Sequence, residues 1–305
     1  MMRYHMGWVN ADGSPYEGPR GKRVRPLLLM LCAEAAGGDP MRALPAAAAI
    51  ELIHNFSLIH DDIQDESDTR RGRPTVWKIW GRAQAINAGD AMYTMAYLAM
   101  HRLAETGTPP MRTLRAWQRL AETCLALTYG QHMDIGFEAR HEVSVGEYLT
   151  MIGAKTAALI EASAELGALV AGADAETQQH YADFGRNIGL AFQVRDDILG
   201  IWGSEKATGK ATGADILSRK KSLPVIYALS RSQALRELYA LPELTADHVV
   251  HATALIDETE AHTYAENQER RAHSAALTAL MCADPTPGPA EALNELASML
   301  LRRAS

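Results

Sequence analysis

The sequence predicts an all-α protein. Alanine, leucine and glutamate dominate its long stretches, runs alternating in Val, Ile and Thr are scarce, and apolar residues recur at helical spacing, as Ile53, Phe56, Ile59 and Ile63 do. Turn-forming clusters divide the chain: GGDP at 37–40, GTPP at 107–110, TGKATG at 208–213 and DPTPGP at 284–289. Between them the pattern predicts helices over 23–36, 41–65, 82–104, 111–131, 146–171, 175–203, 220–230, 251–281 and 288–303. No repeat and no long low-complexity linker interrupts the series, so a solenoid is disfavoured. One helical-bundle domain over 1–305 is the simpler architecture.

Composition narrows the function classes. The 305 residues carry 30 Lys and Arg against 37 Asp and Glu, a net charge of −7, which gives no global pull towards nucleic acid or anionic lipid. Any polyanionic ligand must be held by local basic clusters. Cys32, Cys124 and Cys282 are odd in number and far apart, which favours neither a disulfide framework nor a clustered zinc site and suits a reducing, cytoplasmic setting. The N-terminus lacks an apolar signal-like stretch, and no run of about 18 apolar residues predicts a membrane span.

The first informative stretch is HNFSLIHDDIQD, residues 54–65. At about 100° per residue Asp61 and Asp65 fall roughly 40° apart, with His54 and Ser57 on the same stripe, bordering the apolar face. Clustered carboxylates repel one another unless a cation neutralises them, and oxygen ligands at i and i+4 suit Mg²⁺, which keeps several waters and shares itself with substrate phosphates. A second acidic pair, Asp196 and Asp197, lies in AFQVRDDILGIWG at 191–203, where Gln193 and Asp196 share a stripe and Gly200 stands four residues after Asp196.

Three basic groups accompany the acids: Arg20, Lys22, Arg23 and Arg25; Arg70, Arg71 and Arg73; Arg219, Lys220 and Lys221. Each is by itself compatible with a solvated face. The second follows the first acidic motif by five residues, so a guanidinium fork there can bind the phosphate that the metals bind. Lys210 lies in a glycine-containing loop able to fold over an anion.

Taken together these motifs resemble the trans-isoprenyl diphosphate synthases, the polyprenyl synthetase family. GKRVRP at 21–26, SLIHDDIQD at 57–65, RRGRPT at 70–75, AFQVRDD at 191–197 and GKATGAD followed by KKSLP stand in that family's order. The resemblance implies an isoprenoid-synthase helical bundle with a central active-site cavity. It also implies a Mg²⁺-dependent prenyltransferase that condenses isopentenyl diphosphate with an allylic diphosphate (dimethylallyl, geranyl or farnesyl). By the same resemblance Asp61, Asp62, Asp65, Asp196 and Asp197 supply a metal shell for three Mg²⁺. Arg70, Lys155, Lys210 and Lys220 would hold the allylic diphosphate, and Lys22, Arg25, His54 and Arg71 the isopentenyl diphosphate. Thr156 and Gln193 would lie beside the forming cation, and the partner would be a second copy of the chain. Two departures stand out: Gly200 replaces the last acid of the second motif, putting the third ion in question, and only 20 residues precede GKRVRP, so the first helix is expected to be short or incomplete.

Other readings remain open on the sequence. A class I terpene cyclase would also use an aspartate-rich motif, and Gly200 suggests a regulatory subunit of a heteromeric synthase. A metal phosphohydrolase using His54, His60 and Asp61 is weaker, since those histidines fall about 120° apart on a helix. The resemblance places the floor of the product cavity just upstream of the first motif, at Phe56, and the pattern there favours a C20 product, with C15 next.

Overall fold

A computed structural model describes residues 1–18, 21–138, 140, 142–203 and 213–302. Two compact units emerge, Met1–Cys124 with Ser163–Asp174 and Leu125–Ala162 with Ala175–Ser305. The first contains α1 (Met2–His5), α2 (Val24–Ala35), a 3-10 turn (Pro40–Ala43), α3 (Leu44–Gln64), α4 (Val76–Trp80) and α5 (Arg82–His101). Between α3 and α4 lies a hairpin of β1 (Thr69–Arg70) and β2 (Arg73–Pro74). The helix α6 (Pro110–Glu138) begins in this unit and α8 (Ala158–Ala171) ends in it.

α3 carries the first acidic motif. The Asp39 carboxylate caps the preceding 3-10 turn by accepting the Met41 N–H at 2.9 Å, and Pro45, in the first turn of α3, removes a donor that would have no intrahelical partner. Its alanine run is narrow, so Ala46, Ala47, Ala49, Ile50 and Ile53 are buried and α3 packs along α5 and α2. Near the other end of α3, Ile59 shares a core cluster with Val76, Ala85, Ala88 and Met92 and with Tyr4 and Val9 of the N-terminal segment.

The second unit contains α7 (Val145–Ile152), a π-helical turn (Gly153–Ala157), α9 (Ala175–Trp202), α10 (Ala214–Leu217), α11 (Leu223–Leu229), α12 (Gln233–Tyr239), α13 (Ala246–Asp257), α14 (Ala261–Cys282) and α15 (Pro287–Leu301). A capping box starts α7: the Ser144 hydroxyl accepts the Glu147 N–H at 3.2 Å and the Glu147 carboxylate accepts the Ser144 N–H at 2.9 Å. α9 runs along α14. Phe137, Met151, Ile152, Val194 and Leu223 form one core cluster of this unit, and Ile201, Val225, Leu235 and Ile256 belong to another.

Helical character was predicted correctly for the long segments, with informative exceptions. The segment expected over 251–281 divides at Glu258–Glu260, where Glu260 takes φ 60° and starts a new helix without glycine or proline. The segment expected over 111–131 continues to Glu138, and short helices at Met2–His5, Val76–Trp80, Ala214–Leu217 and Gln233–Tyr239 carry too few residues for a periodic signal. The three cysteines are unbridged, and no helix among the described residues is long and apolar enough to cross a membrane.

Candidate active site

In the first unit the RRGR sequence folds as a two-residue hairpin, with Thr69 opposite Pro74 and Arg70 opposite Arg73. Arg71 and Gly72, its two corner residues, have φ 54° and 73°, the paired positive values of a type I′ turn. Arg73 anchors the hairpin and is not displayed to a ligand. Its guanidinium lies between the Tyr4 and Tyr16 rings, 3.9 and 4.0 Å from their centroids, and donates to the Tyr4 and Val9 carbonyls at 3.1 and 2.9 Å. Arg71 reaches back against the GKRVRP segment: a Cβ on Gly21 would lie 2.7 Å from its Nη2, so a side chain there would displace the guanidinium.

The acidic stripe divides by environment. Asp62 is buried, and its Oδ1 accepts Arg70 Nε at 2.7 Å; burial pushes its pKa up, and Arg70 opposes that rise. Its Oδ2 has no hydrogen-bond partner among the described residues. Asp61 is half-buried and Asp65 exposed. His54 lies 3.3 Å from Arg25, Nε2 to Nη1, and burial together with the Arg25, Arg71 and Arg70 charges pushes its pKa well below the usual histidine range. The structure thus brings Arg25, His54, Arg70 and Arg71 into one basic group, with Lys22 exposed nearby in sequence. His60 faces Asp90 at 3.7 Å and meets Phe56 edge-on, so it does not join His54 in a metal pair.

In the second unit Asp197 is fully buried and heavily engaged. The Tyr148 hydroxyl and the Leu223 N–H, the latter at 3.1 Å, donate to its Oδ2, Gln193 Nε2 donates to its Oδ1 at 3.2 Å, and Lys220 Nζ stands 3.6 Å away. Thr156 donates to Gln193 Oε1 at 2.8 Å, which fixes the direction of that amide. Lys220 also approaches Asp215 at 3.4 Å. Burial alone would lower the Lys220 pKa, but Asp197, Asp215, Asp196 and Asp134 outweigh it and the net shift is upward, keeping the ammonium charged. Lys155 forms an ion pair with Asp134, and both Lys155 and Thr156 sit in the π-helical turn, an irregularity that recurs at functional sites. Asp196, next to Asp197, is exposed. Lys210 and Arg20 lie outside the described residues.

The model of the family described as polyprenyl synthetase matches residues 8–256. A geranylgeranyl diphosphate synthase of Mycobacterium tuberculosis is 44% identical over 308 residues, covering 99% of this chain and 86% of that protein. The chain belongs to the polyprenyl synthetase family. A (2E,6E)-farnesyl diphosphate synthase of Mycobacterium bovis is 42% identical over 269 residues, covering 88% of this chain and 70% of that one. Among solved structures, a polyprenyl synthetase from Streptomyces coelicolor A3(2) superposes with a TM-score of 0.91 at 39% identity, covering 98% of this chain and 90% of that one. The all-α isoprenoid-synthase fold is therefore established.

Within this polyprenyl synthetase, Gly200 has a structural cause. A Cβ there would lie 2.1 Å from Asp215 Oδ2, so the volume a side chain at 200 would need is taken by a carboxylate from α10. An acid is present at this point of the second motif, supplied from fifteen residues along the chain, and the glycine does not by itself mark a degraded, regulatory subunit. Sequence reasoning missed Asp134, Tyr148 and Asp215. Only Asp134 left a local sign: Gly130, one helical turn before it, would place a Cβ 2.3 Å from the Lys155 backbone nitrogen, so α6 must press on the π-helical turn there.

Proposed function

We propose that this polyprenyl synthetase is a Mg²⁺-dependent prenyltransferase that joins isopentenyl diphosphate to an allylic diphosphate, giving a trans-prenyl diphosphate of C20, with C15 next. The observation that carries the reading is the first unit's juxtaposition of an acidic stripe, half-buried Asp61, buried Asp62 and exposed Asp65, with a preformed arginine hairpin whose Arg70 donates to Asp62. Family membership and the relatives' names supply the reaction class.

The donor chemistry fits a hard divalent cation: the candidates are carboxylate oxygens, and the buried Asp62 Oδ2 lacks a hydrogen-bond partner among the described residues. Mg²⁺ takes one or two carboxylates and shares the rest of its shell with water and phosphate. In the first unit we assign Asp61 and Asp65, with the unpartnered Asp62 Oδ2, to hold Mg²⁺, and in the second unit Asp196; Asp62 Oδ1 and Asp197 also fix Arg70 and Lys220. The bound cation would draw charge from the departing diphosphate.

Arg70, Lys155 and Lys220 then bind the allylic diphosphate oxygens as its C–O bond breaks, and Lys210 is retained in that role from the resemblance. Gln193 Oε1 and Thr156 Oγ1, tied to each other and through Gln193 to Asp197, present the negative ends of fixed dipoles, the electrostatics an allylic cation needs. Lys22, Arg25, His54 and Arg71 hold isopentenyl diphosphate, whose terminal double bond attacks the cation; loss of a proton from the adjacent carbon restores a double bond.

Incubating the protein with Mg²⁺, isopentenyl diphosphate and each allylic primer, then identifying the products, tests this directly. Absence of any elongated diphosphate would end the reading. Phe56 packs edge-on against Tyr93, which meets Tyr97, which meets Trp117, so a column of rings stands behind it. Phe56→Ala in the same assay is expected to lengthen the product by at least one C5 unit, and an unchanged product spectrum would remove Phe56 as the floor. We also assign the exposed apolar side chains Ile86, Met95 and Leu98 of α5 and Met111 and Leu114 of α6 to contact with a second copy of the chain. Light scattering is expected to return twice the chain mass, and a monomer at micromolar concentration would withdraw that assignment.

A further inference from the structure

The N-terminal segment enters the first unit's basic group, and nothing in the sequence motifs accounts for its presence there. Tyr4 is buried, its hydroxyl donates to the Pro74 carbonyl at 2.8 Å, and its ring meets Trp80 edge-on at 5.1 Å between centroids. With Arg73 clasped between Tyr4 and Tyr16, the segment is held firmly against the hairpin. His5 follows Tyr4. Together with Asp62, Arg70, Arg71 and Arg73 it lines a small cavity, and it lies close enough to His54 for the two rings to influence each other electrostatically. Its Nε2 is buried, and the Asn55 side chain stands beside the ring within hydrogen-bonding reach, an interaction that favours the charged form. Burial, then Arg71 and Arg70, push the His5 pKa down to about 3, so the ring is neutral in any physiological buffer.

A neutral polar ring in this place has a physical logic. The cations nearest the ring, Arg70, Arg71 and Arg73, repel one another, and a carboxylate inserted among them would relieve that strain only by occupying a guanidinium. Asp62 already does so for Arg70 Nε. A neutral imidazole fills the space, can exchange hydrogen bonds through either nitrogen, and leaves the net positive charge intact for an anion.

We propose that His5 is a positioning residue of this basic pocket, a ring beside Asn55 that fills the space next to Arg70 and Arg71 and directs them at a diphosphate without pairing with them. The assignment of that diphosphate to isopentenyl diphosphate rests on the function proposed above; the anion-binding role does not. Two measurements separate them. The first is calorimetric binding of inorganic pyrophosphate to the whole protein in EDTA, where carboxylate-bound metal contributes nothing. The second is steady-state kinetics with Mg²⁺, reading KM for isopentenyl diphosphate and for the allylic primer separately from kcat.

His5→Ala, His5→Gln and His5→Asp distinguish spacing from mere packing. The alanine variant is expected to weaken pyrophosphate binding, and to raise the isopentenyl diphosphate KM, by about fivefold, because the two guanidinium groups are no longer held in place. The allylic KM should stay within about twofold. Glutamine, neutral and polar, should recover most of the loss. Aspartate should be worse than alanine although its melting temperature is equal or higher, because it takes an arginine away from the ligand. Equal pyrophosphate affinity in wild type and all three variants would overturn the proposal, as would affinities that simply follow melting temperature. If the wild type makes no condensation product, the pyrophosphate series still decides the role of His5, and only the identity of the natural anion falls.

Discussion

Alanine at Asp61 or at Asp65 is expected to lower turnover by about a hundredfold or more, with the helical circular dichroism and melting temperature unchanged. Asp61 is half-buried and Asp65, the residue that ends α3, is exposed, so neither belongs to the core, and the helix is held by its packing against α5. What is lost is charge stabilisation of a departing diphosphate, an effect worth several kcal/mol, and each 1.4 kcal/mol is about tenfold in rate. A variant that keeps more than about a tenth of wild-type turnover would remove these carboxylates from the metal site.

Asp197→Ala is expected to act differently, on stability first. The carboxylate is fully buried, and its removal leaves the Tyr148 hydroxyl, the Leu223 N–H and the Lys220 ammonium without their acceptor. Breaking a buried charge pair in this way costs about 3 to 5 kcal/mol, which for a chain of this size lowers the melting temperature by roughly 10 °C. Asp197→Asn keeps the shape and some of the hydrogen bonds and should fall between the two. Thermal unfolding of the three proteins checks the order. If Asp197→Ala melts with the wild type and loses only activity, Asp197 belongs with Asp61 as a direct ligand and the positioning role given to it here is wrong.

The contrast between Asp61 and Asp62, or between Asp196 and Asp197, shows what the sequence could and could not convey. Position along the helix was legible, since about 100° separates neighbours on the wheel, and the apolar stripe told which face turns inward. Which of two adjacent acids is captured by a buried partner was not. Arg70 reaches Asp62 by way of a hairpin, and Tyr148 and Leu223 reach Asp197 from 49 and 26 residues away. The same limit hid Asp215: Gly200 read as a missing acid because the side chain filling its space belongs to another helix. The π-helical turn around Lys155 has no clear compositional sign either: GAKTA carries no proline, and the turn lies where Gly130 of α6 comes close to the Lys155 backbone. The motif order, by contrast, was readable because short basic and acidic runs fold locally, each onto one helix or one turn.

The RRGR hairpin changes when the entropy of binding is lost. A flexible arginine arm gives up about 0.5 to 1.5 kcal/mol each time it is immobilised on a ligand. Here Arg71 already occupies a left-handed backbone conformation at φ 54°, held in register by Arg73 between two tyrosine rings. That ordering takes place once, as the chain folds, and every catalytic cycle begins with the turn already in shape. A protein that must release a diphosphate and accept another at each elongation step gains from a receptor that does not have to be rebuilt between them.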